Sequence, residues 1–185
     1  MERRVVITGM GVISPVGNNI ADFWNSLVEG KCGIDIIKGF EDQELPISVA
    51  GQVKDFNPEE HGLDRNDVRR NDQFCHYAMA AANQAMADSG LVSGENIDPE
   101  RLGVYIGSGI GGMQTFFSES KKLIEEGIRR ISPLFVPMMI SNIAAGNVAI
   151  KYNAQGVCLP VVTACATGTH AAGEACRAIK HGYAD

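Results

Sequence analysis

Three short apolar runs, Arg4-Val-Val-Ile-Thr8, Leu102-Gly-Val-Tyr-Ile106 and Leu159-Pro-Val-Val-Thr163, each run into a glycine or small-residue turn and are followed by helix-forming sequence. The apolar runs have the length and β-branched content of buried strands. Ile20–Val28 has helical periodicity closed by Gly30, and Phe74–Ser89 is an alanine-rich helix stopped by Gly90. Pro137–Tyr152 reads as a further small-residue helix, and Thr167–His181 as one whose Gly168, Ala171, Ala172, Gly173, Ala175 and Ala178 permit close packing. Strands alternating with helices predict an α/β architecture, with helices covering a largely parallel sheet. The stretch 31–71 mixes Gly, Pro and charge and is expected to be an irregular excursion.

A chain of 185 residues that is 45% hydrophobic can bury one sizeable core. The net charge of −6 gives no reason to expect nucleic acid or an anionic membrane as partner. Met1-Glu-Arg-Arg4 leads into an apolar run too short and too soon interrupted by glycine for a signal peptide or membrane span, so a cytoplasmic protein is expected. Five cysteines without a CxxC pair suggest neither a disulfide framework nor a zinc site, and most are expected to be buried thiols. The chain stops at Asp185, directly after a helix, where the pattern would supply its next strand; it reads as truncated.

Val161-Val-Thr-Ala-Cys165-Ala-Thr-Gly168 places a cysteine where an apolar strand meets a small-residue helix. Such a turn lifts the side chain out of the sheet, and unpaired N–H groups at the helix start favour a thiolate. The same groups can receive the oxyanion formed when a thioester carbonyl is attacked, so acyl transfer is the natural reaction. On residue type and position alone, Cys165 reads equally well as a small core residue. His170 lies five positions on and would project to a different side, so it is read as a hydrogen-bonded core histidine rather than a base; His61, His76 and His181 are given no role.

Gly107-Ser-Gly-Ile-Gly-Gly112, directly after the second strand, satisfies GxGxxG, with Glu125 and Glu126 at a plausible ribose-contacting distance. A nucleotide-binding domain is therefore a rival reading. The polar run Ser118–Lys122 makes a weak start for a dinucleotide helix, and the glycines serve tight turns equally well.

Thr163-Ala-Cys165-Ala-Thr-Gly-Thr-His-Ala-Ala resembles the nucleophile motif of β-ketoacyl-acyl-carrier-protein synthases of the elongating (II) type. Val5-Val-Ile-Thr-Gly-Met-Gly-Val-Ile-Ser-Pro-Val-Gly17 resembles their opening, and Gly107–Gly112 and Ile131-Ser-Pro-Leu-Phe-Val-Pro137 resemble motifs between. The resemblance implies a thiolase-like layered αβαβα fold, with residues 1–185 supplying the N-terminal half and ending before its last strands. It implies that Cys165 accepts the acyl group, that Ile110 gates the acyl pocket, and that Phe135 reaches a partner subunit's pocket across a homodimer. Arg69, Arg70, Arg129 and Arg130 would contact the acidic acyl carrier protein. Acyl and malonyl thioesters would be the substrates, in a decarboxylative Claisen condensation of fatty acid biosynthesis. No metal or organic cofactor is implied beyond the carrier's phosphopantetheine arm. The family's two catalytic histidines and lysine have no counterpart here, so the chain alone is expected not to complete the condensation. A synthase-like interaction fragment, which only shapes a partner's pocket, is the alternative.

Overall fold

The computed structural model describes residues 3–40, 44 and 46–185. Residues 1 and 2 of the basic start, and residues 41–43 and 45 of the expected irregular excursion, lie outside them. The element order is α1 (Ile20–Val28), β1 (Ile34–Ile36), β2 (Val49–Gly51), α2 (Arg65–Arg70), α3 (Gln73–Ser89), α4 (Met113–Glu126), α5 (Phe135–Met139), α6 (Ile143–Lys151) and α7 (Thr167–His181). No helix among these residues is long and apolar enough to cross a membrane.

α1 starts where the Asn19 side chain accepts from the Asp22 N–H at 2.9 Å and is followed by Gly30 at φ +69°. α3 starts one residue before the expected Phe74, because Asp72 serves as its N-cap, and it closes on Gly90 in the left-handed region. The expected helix over Pro137–Tyr152 is two helices. Between them Ile140 is extended, and the Met139 carbonyl accepts from the Gly112 N–H at 2.9 Å. That carbonyl is committed to the glycine loop, so the helix cannot run on through it.

The core is the contact of α3 with α6. Met79 and Ala80 meet Ala145 and Val148, with Leu63 and Val104 completing the buried cluster. Alanines at the crossing let the two helices approach closely, while Met79 fills the space between them. The segment Leu102–Gly107 lies against this pair and alternates as a strand should. Val104 and Ile106 face the α3–α6 core. Gly103 and Gly107 face the other way: a Cβ on Gly103 would sit 3.8 Å from the Ala184 side chain, and one on Gly107 only 2.3 Å from Thr167 Cγ2. α7 therefore covers the opposite side, giving helix, extended chain and helix in three layers.

The expected strand pairing is parallel in direction but sparse. Val104 bridges Cys158, its N–H donating to the Val157 carbonyl at 2.8 Å, while the Leu159 N–H donates to the Val104 carbonyl at 2.9 Å. The only ladder among the described residues is antiparallel, β1 with β2, inside the stretch expected to be irregular. The first expected strand has no ladder partner there, and Ile7 is 83% exposed. The chain just beyond it lies on α3 instead: Met10 and Val12 donate to the Asp88 and Gln84 side chains. Gly11 permits this, since a Cβ there would meet the Ala81 carbonyl oxygen at 1.9 Å.

Beyond α7, Asp185 is held by Arg101 through Nε at 3.0 Å and Nη2 at 2.8 Å, and by Arg3 at 2.8 Å. The Arg101 guanidinium is the main cause that pulls the Asp185 carboxyl down to about 2. A lowered folded-state value means the stabilisation is complete above the ordinary value near 3.8 and is lost as pH falls towards about 2. Melting temperatures of the wild type and Asp185→Asn are expected to differ at pH 6 and to converge between pH 4 and 2. A constant gap would assign the difference to something other than this carboxylate.

Candidate active site

The apolar chain through Val161 ends in a sharp turn. Thr163 has φ −136° and ψ 41°, and Ala164 adopts φ +50°. A left-handed alanine is disfavoured by about 1–2 kcal/mol, because its Cβ crowds the following carbonyl. Ala164–Ala166 then form one 3-10 turn, closed by the Ala166 N–H on the Thr163 carbonyl at 3.1 Å, and α7 begins at Thr167. Cys165 sits inside this turn, exposed. No N-cap side chain accepts from the N–H groups of the 3-10 turn or of α7, so no cap neutralises the positive end of α7.

The other thiols differ. Cys75 is fully buried in α3, and burial, with Asp72 nearby, pushes its thiol up to about 12. Cys158 is raised by burial as well. Most cysteines were expected to be buried, yet only Cys75 is: Cys32, Cys158 and Cys165 are exposed and Cys176 is intermediate. Cys32 follows α1 in a loop, and Cys158 lies on an extended segment with few ladder neighbours.

His170 corrects the expectation of a core histidine. It is exposed, and its Nε2 lies 3.8 Å from Glu174 Oε1, one turn along α7. Glu174 also accepts from Arg177 at 3.0 Å. The imidazole thus lies along the exposed surface of α7, beside Glu174.

The loop 107–112 links the cysteine turn to an apolar depression. Gly107 approaches Val161 and Thr167, and a Cβ on Gly109 would lie 3.8 Å from Ala164 Cα. Ile110, 71% exposed, then lines a depression of about 480 Å³ with Met113, Phe116, Met139 and Ile140. Phe135 stacks obliquely on Phe116, ring centroids 6.4 Å apart, so Ile110 and Phe135 border one apolar region. Cys165 lies outside its lining.

The glycine loop is not a phosphate cradle. At the start of α4, where a pyrophosphate would sit, the buried Asp72 carboxylate already accepts from the Thr115 N–H at 2.7 Å. Gly111 has φ +81°, and a Cβ on Gly112 would meet the Met138 carbonyl oxygen at 2.5 Å. Backbone packing accounts for both glycines, and a second anion would be repelled by the first. Sequence reasoning missed Asp72 and α4 itself. The signals present were Gly127 as a stop and the apolar Met113, Phe116 and Phe117 on a helical repeat.

The four arginines are exposed in two places, Arg69 and Arg70 in the last turn of α2, Arg129 and Arg130 in the turn after α4. Asp72 follows the first pair and links the starts of α3 and α4. Near the second pair, Glu119 accepts from the Ser132 N–H at 2.7 Å and from Lys122 at 2.6 Å. The Lys122 ammonium and then this N–H lower its carboxyl. Arg130 is engaged by Glu126 at 3.1 Å.

A three-layered α/β support that presents an exposed thiol on a strained strand-to-helix turn defines a protein of thiolase-like fold. The chain matches the profile of the Beta-ketoacyl synthase, N-terminal domain, over residues 2–185, and it belongs to the β-ketoacyl synthase family. It is 46% identical over 183 residues to 3-oxoacyl-(acyl-carrier-protein) synthase 2 of Staphylococcus aureus, covering 99% of this chain and 44% of that protein. The protein of the same name from Coxiella burnetii is 46% identical over 184 residues, covering 100% and 44%. The chain therefore spans less than half the length of these relatives. Among solved structures, a β-ketoacyl synthase from Burkholderia phymatum matches with TM-score 0.85 at 26% identity, covering 100% of this chain and 45% of that one. A type II polyketide synthase acyl-carrier protein in complex with its ketosynthase matches with TM-score 0.84 at 26% identity, covering 100% and 50%.

Proposed function

We propose that this chain, residues 1–185, is the acyl-accepting half of a 3-oxoacyl-acyl-carrier-protein synthase of fatty acid biosynthesis, with Cys165 as nucleophile. The observation that carries the reading is the exposed thiol one residue after the left-handed Ala164, at a helix start that no side chain caps. The Cys165 sulfur attacks the carbonyl carbon of an acyl thioester on acyl carrier protein, and the carbonyl electron pair moves onto oxygen. N–H groups of the turn stabilise that oxyanion. Its collapse reforms the carbonyl and expels the phosphopantetheine sulfur as a thiolate, leaving acyl-Cys165. The acyl chain lies in the apolar region bordered by Ile110, with Phe135 serving a partner subunit in a homodimer. Arg69, Arg70, Arg129 and Arg130 attract the acidic carrier.

In the whole protein, malonyl-acyl carrier protein then loses CO₂, and the resulting carbanion attacks the acyl-Cys165 carbonyl. This releases 3-oxoacyl-acyl carrier protein and regenerates the thiolate. The present chain performs the first half only. Intact-mass measurement after incubation with acyl-acyl carrier protein is expected to show one acyl group per chain, removable by hydroxylamine, and no 3-oxoacyl product when malonyl-acyl carrier protein is added. A chain that stays at its unmodified mass would overturn the assignment.

A further inference from the structure

We infer that Thr167 is a positioning residue for Cys165, acting through the backbone turn; this rests on the reading of Cys165 as nucleophile. Thr167 is buried in the first turn of α7, two residues beyond the thiol. Its hydroxyl Oγ1 accepts from the Thr163 N–H at 2.9 Å, reaching back across the whole 3-10 turn. That is half of a capping box with the usual roles redistributed: a side chain inside the helix satisfies the backbone N–H of the residue that opens the turn. The bond spans the left-handed Ala164 and Cys165. With the Ala166 N–H on the Thr163 carbonyl, it holds the Thr163 backbone through both its N–H and its carbonyl.

The other branch of the same side chain fixes the turn to the sheet. Thr167 Cγ2 occupies the space that Gly107 leaves empty, beside the Val161 carbonyl. One residue thus supplies an acceptor to the turn and a methyl group to the strand on which the turn rests. A β-branched side chain suits this because its rotamer is restricted, so both contacts are made from one stiff unit. Ala164 would otherwise relax to an ordinary conformation, and the thiol would move away from the uncapped helix start.

The test measures alkylation of the 185-residue chain by iodoacetamide, with peptide mapping that reports Cys165 and the exposed Cys32 separately. Thr167→Val keeps the branched shape and removes the acceptor; it is expected to slow Cys165 alkylation by about tenfold, as follows from one unsatisfied N–H. Cys32 should react at its wild-type rate. Thr167→Ser, which retains the hydroxyl, should restore Cys165 reactivity even if the lost methyl lowers the melting temperature. A merely structural role would make the Cys165 and Cys32 rates change together as the melting temperature falls, rather than Cys165 alone. Thr167→Val alkylated at the wild-type rate would overturn the positioning role alone. Wild-type Cys165 reacting no faster than Cys32 would remove the nucleophile reading, and this inference with it.

Discussion

Cys165→Ala should lose acyl transfer from acyl carrier protein by at least about a thousandfold, as expected when the attacking atom itself is removed. The substitution is otherwise mild. Cys165 is exposed, so shortening its side chain removes little packing and the melting temperature should move by no more than about 1–2 °C. The remaining thiols offer no replacement. Cys75 is buried with its thiol pushed up to about 12, and Cys158 is raised in the same direction. Cys32 lies in a loop remote in sequence from any helix start, and Cys176 lies in the interior of α7, away from its first turn. Intact-mass spectra of the variant should therefore show no acyl adduct under conditions that fully acylate the wild type. An adduct of equal stoichiometry would move the nucleophile elsewhere and return Cys165 to the role of a surface thiol.

The largest stability effect is expected at Gly107. A Cβ there would lie 1.9 Å from the Val161 carbonyl oxygen and 2.3 Å from Thr167 Cγ2, and the first of these atoms is backbone that cannot step aside. Relief requires the segments 102–107 and 157–161 to separate, and those segments are the layer between the α3–α6 pair and α7. Overpacking of this kind costs about 1–3 kcal/mol or somewhat more, so Gly107→Ala should lower the melting temperature by about 5–10 °C. Gly146→Ala provides the contrast. Gly146 lies inside α6 with open space where its Cβ would be, and alanine there should stabilise by about 0.5–1 kcal/mol through helix propensity. Thermal melts of the two variants check both signs; a Gly107→Ala protein as stable as the wild type would mean the strands part without cost.

Three helices, α1, α3 and α7, were legible because their signals are local, whereas α2 and α4 were not expected and α5 and α6 were read as one. α1 and α7 run over the residues that periodicity and their closing glycines mark, and α3 differs by one residue because Asp72 caps it. The cysteine turn was legible for the same reason: an apolar run meeting small residues names the junction. Its conformation was not, because an alanine carries no mark of the left-handed region, as a glycine or asparagine would. The strands were half legible. Their apolar runs marked extended chain, and the second and third meet in parallel as expected, but burial did not follow: Ile7 is 83% and Val162 53% exposed, while β1 with β2 formed in a stretch whose composition suggested no ladder. The break at Met139 and the rejection of the nucleotide reading were both nonlocal. Each depends on a bond between segments far apart in the chain, Gly112 with Met139 and Thr115 with Asp72.

The left-handed Ala164 also bears on the order in which the molecule matures. A turn that opposes its own residue's preference cannot act as a folding nucleus, since it gains nothing until the strand beneath and the helix beyond are already in place. It is expected to close late, after Gly107 has seated Thr167 and α7 has formed. Until then Cys165 is a thiol like any other on a growing chain, with no helix start behind it. On the proposed role of Cys165, reactivity would then arrive only with the finished turn, and an immature chain would be spared capture by thioesters and electrophiles.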